Sequence, residues 1–212
     1  MIPPRTDQTR HRAGESTKVA AKADVYFSAD VETDGPIPGP FSMLSFALVR
    51  AGTFDGVQFT RPATYDATFY VELRPISEQF EPEALLVNGL DRSRLVREGT
   101  DPGAAMTSAS QWITEQAAGG QPVLVAYPLG FDWSWIYWYF VRFSKVGSPF
   151  QHSKCFDIKT AFAIRARLPI GEAGRSKIPP RLQATHPHTH RALDDAIEQA
   201  QLFANIFEWE GQ

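Results

Sequence analysis

VYFSADVETDGP, residues 25–36, is the stretch whose reading decides the fold. It begins as an apolar, β-branched and aromatic run of the kind that fills a buried strand, and it closes on Asp30 and Glu32. Side chains at i and i+2 of a strand project to one side, so these two carboxylates point together while Val31 points away. Burying a charge costs on the order of several kcal/mol unless it is paired or binds a metal. A strand that ends in two convergent carboxylates therefore calls for a cation.

Downstream of that strand, TDGPIPGP (33–40) is rich in turn formers. FSMLSFALVRAG (41–52) reads as a second strand and ATFYVELRP (67–75) as a third, so the first three form an antiparallel meander. FEPEALLVNGL (80–90) reads as a short helix stopped by Asn88-Gly89. DPGAAMTSASQWITEQAAGG (101–120) reads as a second helix, opened by Asp-Pro and closed by Gly-Gly. PVLVAY (122–127) is a short strand, and GFDWSWIYWYFVRFSKVG (130–147) is a helix with aromatics on nearly every side, largely buried. KCFDIKTAFAIRARL (154–168) supplies another strand and helix. A Pro/Gly/His-rich connection over 169–189 then leads to a last helix over 190–209. Strands followed by alternating helix and strand give an α/β layered domain with a mixed sheet.

A chain of 212 residues suits one domain with a substantial core. Residues 1–22 are polar and non-periodic and read as a disordered tail, leaving 23–212 as the domain. No apolar run approaches the roughly 20 residues needed to span a bilayer, so no membrane partner is expected. The single Cys155 excludes an internal disulfide scaffold and suits a reducing, cytoplasmic setting. Charge is unevenly placed. Residues 142–191 hold ten Lys/Arg against two acids, a local +8, so the rest carries −11 within a net of −3. Such asymmetry suits a polyanionic partner, and Lys145, Lys154, Arg175 and Lys177 are candidates to meet it.

Further carboxylates join the first pair. Asp132 sits in PLGFDWSW at the start of the aromatic helix, and Asp194 and Asp195 sit in HTHRALDDAIEQAQLF. At 100° per residue, Ala192, Ala196, Ala200, Phe203 and Phe207 form one apolar stripe. Asp195 lies beside that stripe and points into the protein, whereas Asp194 shares the solvated face with Glu198. Asp30, Glu32, Asp132 and Asp195 together make an oxygen-rich set suited to Mg²⁺ or Mn²⁺. Two such ions, about 4 Å apart, can clamp the attacking and leaving oxygens of an in-line phosphoryl displacement. His190, five residues before Asp195, is placed to take a proton from the attacking water.

The set DVE, FD and HRALDD resembles the three motifs of the DEDDh 3′–5′ exonucleases, and FEPEALLVNGLD resembles the helix after the third strand of ribonuclease T-like members. The resemblance spans roughly residues 24–209. It implies a ribonuclease H-like three-layer fold, a mixed five-stranded sheet flanked by helices. It also implies hydrolysis from the 3′ end of single-stranded DNA or RNA, releasing 5′-nucleoside monophosphates. Asp30, Glu32, Asp132 and Asp195 would hold two divalent ions, with His190 as general base. Thr33 would hold the terminal 3′-hydroxyl, and Phe131, Met43 and Leu44 would wedge or stack the last bases. Many members carry an Asn or His shortly before the second-motif aspartate, where this chain reads AYPLGFD. The aromatic helix and the habit of several members suit a homodimer.

The remaining features fit other roles. His186, His188 and His190 in THPHTH form a tract of the metal-binding kind, but one cysteine and an oxygen-rich site nearby weigh against zinc. Asp34 and Gly35 read as turn formers, and Asp157 ends a strand or caps the following helix. Two other functions fit the same residues: a nucleic-acid-binding module without turnover, and a phosphodiesterase for short oligonucleotides.

Overall fold

The computed structural model describes residues 22–211, so the expected tail lies outside the described residues apart from Lys22. The central strand β1 (Asp24–Thr33) pairs antiparallel with β2 (Met43–Phe54), which pairs in turn with β4 (Thr68–Glu72). That is the expected meander. On the other side β1 pairs in parallel with β5 (Gln121–Ala126), which carries β6 (Cys155–Asp157) at the edge. A two-residue strand β3 (Phe59–Thr60), pairing with Thr53 and Phe54, makes six strands rather than the expected five. Two residues are too few to leave a periodic signal.

The pleat of β1 divides the domain into two cores. Val25, Phe27, Ala29 and Val31 pack into one with α3 (Pro102–Ala117) and α4 (Leu129–Phe143). Tyr26 faces the other, with α5 (Ile158–Ala166) and α6 (Ala192–Glu208). The result is a helix–sheet–helix sandwich of the ribonuclease H-like kind. On α6 the small residues Ala192, Ala196 and Ala200 are buried, and without bulky side chains they let the helix approach the sheet closely. On α4, Trp135, Ile136, Tyr139 and Phe140 are buried, while the stacked Trp133 and Tyr137 lie half-buried on its flank. Among the described residues no helix is long and apolar enough to cross a membrane.

Two helices follow the meander rather than one. α1 (Pro82–Asn88) ends at Gly89, whose φ of 67° is the left-handed stop that Asn-Gly announced. α2 (Arg92–Glu98) was not expected, because its sequence RSRLVRE buries only Leu95. It is capped by Asp91, which accepts from the Arg94 N–H at 2.9 Å. α2 also explains Asp34. Asp34 lies in the turn after β1, as expected, but it is fully buried there, accepts from the Ser42 N–H and pairs with Arg92 Nε at 2.9 Å.

Removing one partner of a buried pair leaves an uncompensated charge. Arg92→Ala is therefore expected to lower the unfolding free energy by about 3 kcal/mol in urea titrations, with partial recovery in Arg92→Ala/Asp34→Asn. A loss below about 0.5 kcal/mol would show the pair to be structurally idle.

Candidate active site

The topology leaves one edge of the sheet open to chemistry. β5 stops pairing with β1 at Ser28–Val125, so Asp30 and Glu32 run beyond the carboxyl end of their parallel neighbour. β1 is also where the chain order reverses, with β2 on one side and β5 on the other. Such a switch point forms a crevice at the carboxyl ends of the strands, where α/β sheets bind ligands.

Asp30 and Glu32 lie on the α6 side of β1, and the first turn of α6 brings Asp195 to them. One carboxylate oxygen from each of Asp30, Glu32 and Asp195 lies within 4.8 Å of the others. Asp195 is 2 % exposed and accepts from the Thr189 N–H at 2.7 Å and the His190 N–H at 3.0 Å. Asp132 enters from the first turn of α4, is buried, and accepts from the Val31 N–H at 3.2 Å. Asp157 bonds both the Leu129 N–H and the Thr160 N–H at 2.6 Å, pinning the start of α4 to the start of α5. It thus caps a helix, as expected, and also braces the turn that presents Asp132.

Gln199 belongs to none of the sequence motifs. It lies one helical turn beyond Asp195, is 1 % exposed, accepts from the Tyr127 N–H at 2.6 Å and donates to Asp30 at 2.7 Å. A polar side chain on the apolar stripe of α6 was the one available signal. Of the four expected basic residues, Arg175 reaches this edge: it pairs with Glu198 and lies over the Tyr127 ring, 4.8 Å from its centroid. Lys145 instead follows the far end of α4, roughly 20 Å along the helix from Asp132. Lys154 lies before β6 at the opposite end of that strand, and Lys177 is exposed.

The expected substrate contacts divide. Phe131 is 43 % exposed beside Asp132 and can meet a base. Met43 and Leu44 are 0 % exposed, Met43 within the α3/α4 core, so neither can wedge a base without repacking. Thr33 is buried and donates its hydroxyl to the Gly35 carbonyl at 2.8 Å. A cleft of about 470 Å³ opens beside Glu32 and His190, walled by Tyr70 and Glu72 of β4, by Leu90 after α1 and by Leu193 of α6.

Burial first, and for Asp30 and Glu32 the neighbouring acids as well, shifts the carboxyl groups strongly. Burial, then repulsion from Asp132, Glu32 and Asp195, raises Asp30 well above the usual carboxylate range, with Arg175 opposing. Burial, then Asp195 and Asp132, pushes Glu32 up to about 8. Burial raises Asp132 to about 7 against the pull of its backbone donors and Arg175. Fixed, oxygen-only and short of positive charge, this donor set fits hard divalent cations.

No family model matches the chain. The 3′–5′ DNA exonuclease Cap18 of Escherichia coli is 34 % identical over 184 residues, covering 86 % of this chain and 91 % of that protein. The nuclease domain of 3′hExo, a DEDDh family member, bound to rAMP, superimposes with a TM-score of 0.62 at 12 % identity, over 92 % of this chain and 96 % of that one. E. coli Exonuclease I in complex with a dT13 oligonucleotide gives 0.60 at 15 % identity, over 89 % of this chain and 41 % of that longer one.

A carboxyl raised in the folded state holds its proton more tightly there than in the unfolded chain. The metal-free protein should therefore lose stability as pH rises from 4.5 to about 8, the window set by Glu32, and keep it below. Glu32→Gln removes that charge. In chelator at pH 8 it is expected to raise Tm by roughly 4 °C and to flatten the pH dependence, as a gain of about 1–2 kcal/mol would in a domain this size. A Tm at pH 8 equal to or below that of the parent would contradict the burial and repulsion assigned to Glu32.

Proposed function

Because the chain belongs to the DEDDh 3′–5′ exonucleases, and so is a hydrolase of that kind, we propose that it shortens single-stranded DNA from the 3′ end and releases 5′-nucleoside monophosphates. The observation that carries this reading is the meeting of Asp30, Glu32 and Asp195 within 4.8 Å at the switch point, with Asp132 beside them. DNA is chosen over RNA because the 34 % identical relative is a DNA exonuclease.

We assign Asp30, Glu32, Asp132 and Asp195 as the residues that would hold two divalent ions, Mg²⁺ or Mn²⁺. When bound, these ions supply positive charge at the attacking and leaving oxygens of the phosphodiester. The chain's own residues do the rest. Asp195 stays oriented by its two backbone donors, and Gln199 fixes one oxygen of Asp30, so the carboxylates are set before substrate arrives. His190 is exposed at the mouth of α6 and lines the cleft, placed to take the proton from the attacking water. Phe131 offers an exposed face on which a base can stack, without regard to sequence.

The test is a time course on 5′-labelled single-stranded DNA and RNA of one sequence, with Mg²⁺ or Mn²⁺. A ladder shortening from the 3′ end is expected on DNA, abolished in Asp30→Asn. His190→Ala should slow it by about 10²- to 10⁴-fold, the usual loss of a general base. Faster shortening of RNA would overturn the choice of polymer. Tight binding without shortening of either strand would mean a binding module. Gln199→Leu should raise the Mn²⁺ concentration for half-maximal activity by about tenfold, as loss of an outer partner of a metal ligand does. An unchanged metal requirement would reduce Gln199 to a packing residue.

A further inference from the structure

The histidine tract 185–190, THPHTH, is divided by the fold into two parts. His186 turns outward, its Nε2 3.2 Å from Asp194 on the solvated face of α6. His188 turns the other way, its Nδ1 3.1 Å from Asp195 Oδ2, with its ring 4.8 Å from that of His190. One donor atom from each of His188, His190 and Asp195 lies within 4.8 Å of the others. This second cluster shares one carboxylate with the acidic one, but its chemistry differs: two imidazoles and one carboxylate rather than carboxylates alone.

We propose that His188, His190 and Asp195 form a second site, joined to the acidic one through Asp195, for a borderline transition metal of the zinc class, and that its occupation inhibits the enzyme by taking His190 out of proton transfer. Two ring nitrogens and one carboxylate oxygen suit tetrahedral Zn²⁺ with one position open, whereas Mg²⁺ prefers oxygen. Zinc bonds of about 2.0–2.2 Å put tetrahedral donors roughly 3.4 Å apart, so the cluster must contract by no more than about 1.4 Å. The two histidines can supply that movement, because both are exposed and neither ring is locked in a core. Asp195 need not move, since two backbone N–H groups already hold it. A histidine nitrogen bonded to zinc has no lone pair left for a proton. The first-row affinity order places Zn²⁺ well above Mn²⁺ at nitrogen-bearing sites, so little zinc is needed even where the activating ion is abundant.

The inference rests on the exonuclease reading for its consequence, not for its site. The experiment titrates Zn²⁺ into the Mg²⁺-supported reaction of the full chain, with His188→Ala and His188→Asn alongside. His188 is exposed, and the Thr189 and His190 N–H groups hold Asp195 without it, so at saturating Mg²⁺ both variants should keep the parent rate. Each should raise the Zn²⁺ concentration for half-inhibition about tenfold or more, given that even outer-shell changes cost metal sites 10- to 100-fold. Co²⁺ provides a readout independent of activity: an intense visible absorption of the tetrahedral kind in the parent, lost in His188→Ala. Equal zinc sensitivity in parent and variants, or a Co²⁺ spectrum indifferent to His188, would overturn the proposal and place any inhibition at the carboxylates. If no strand is shortened under any condition while the Co²⁺ absorption still depends on His188, the exonuclease reading fails and the histidine site stands.

Discussion

Mutual repulsion of buried carboxylates is the constraint around which this domain is arranged. Asp30, Glu32 and Asp195 are held within 4.8 Å of one another at the end of a sheet, with Asp132 beside them and Arg175 the cation that bears on Asp30 and Asp132. Left free, such groups would separate or take up protons. They stay because each sits on a rigid element that the cores hold in place. Asp30 and Glu32 belong to the central strand, Asp195 to a helix packed on one face and Asp132 to a helix packed on the other. The stability of two apolar cores is thus spent in part on a local electrostatic conflict, which a divalent cation would relieve.

The hydrogen bonds at this edge act as orientation devices. The Val31 N–H lies beyond the end of β5, where β1 has no parallel neighbour, and donates instead to Asp132. In the same way the Thr189 and His190 N–H groups, ahead of α6, are satisfied by Asp195. Backbone donors that the fold leaves over become the clamps of the site, and unmet buried donors would otherwise cost the domain stability. Gln199 extends the pattern by joining the Tyr127 N–H to Asp30 through one amide.

Farther out, the turn after β1 is built as firmly as the strand itself. Asp34 and Arg92 form a buried pair, and Asn88 donates to the Thr33 carbonyl at 3.0 Å, so α1 and α2 are fastened directly to the end of the acidic strand. One wall of the cleft is therefore bonded directly to the strand that carries Asp30 and Glu32. The same firmness accounts for Met43 and Leu44: the opening residues of β2 pack inward under this turn, whereas Phe131 keeps an exposed face beside Asp132.

The sequence by itself determined what depends on neighbours along the chain. Alternation placed Asp30 and Glu32 on one side of a strand, the alanine stripe turned Asp195 inward and Asp194 outward, and Asn88-Gly89 ended a helix. Motif order and spacing then identified the family. What the tertiary structure alone decided are relations between residues far apart in the chain. The Asp132–Val31 bond spans 101 residues and the Gln199–Asp30 bond 169, and no local pattern encodes such distances. α2 buries one leucine and so has no periodicity, and the partner of the turn residue Asp34 lies 58 residues away, beyond any local pattern. The histidine tract reads as one unit along the chain. Only the tertiary structure sets His186 on Asp194 and His188 on Asp195, because the way residues 185–190 fold over the first turn of α6 follows no periodic pattern in the sequence.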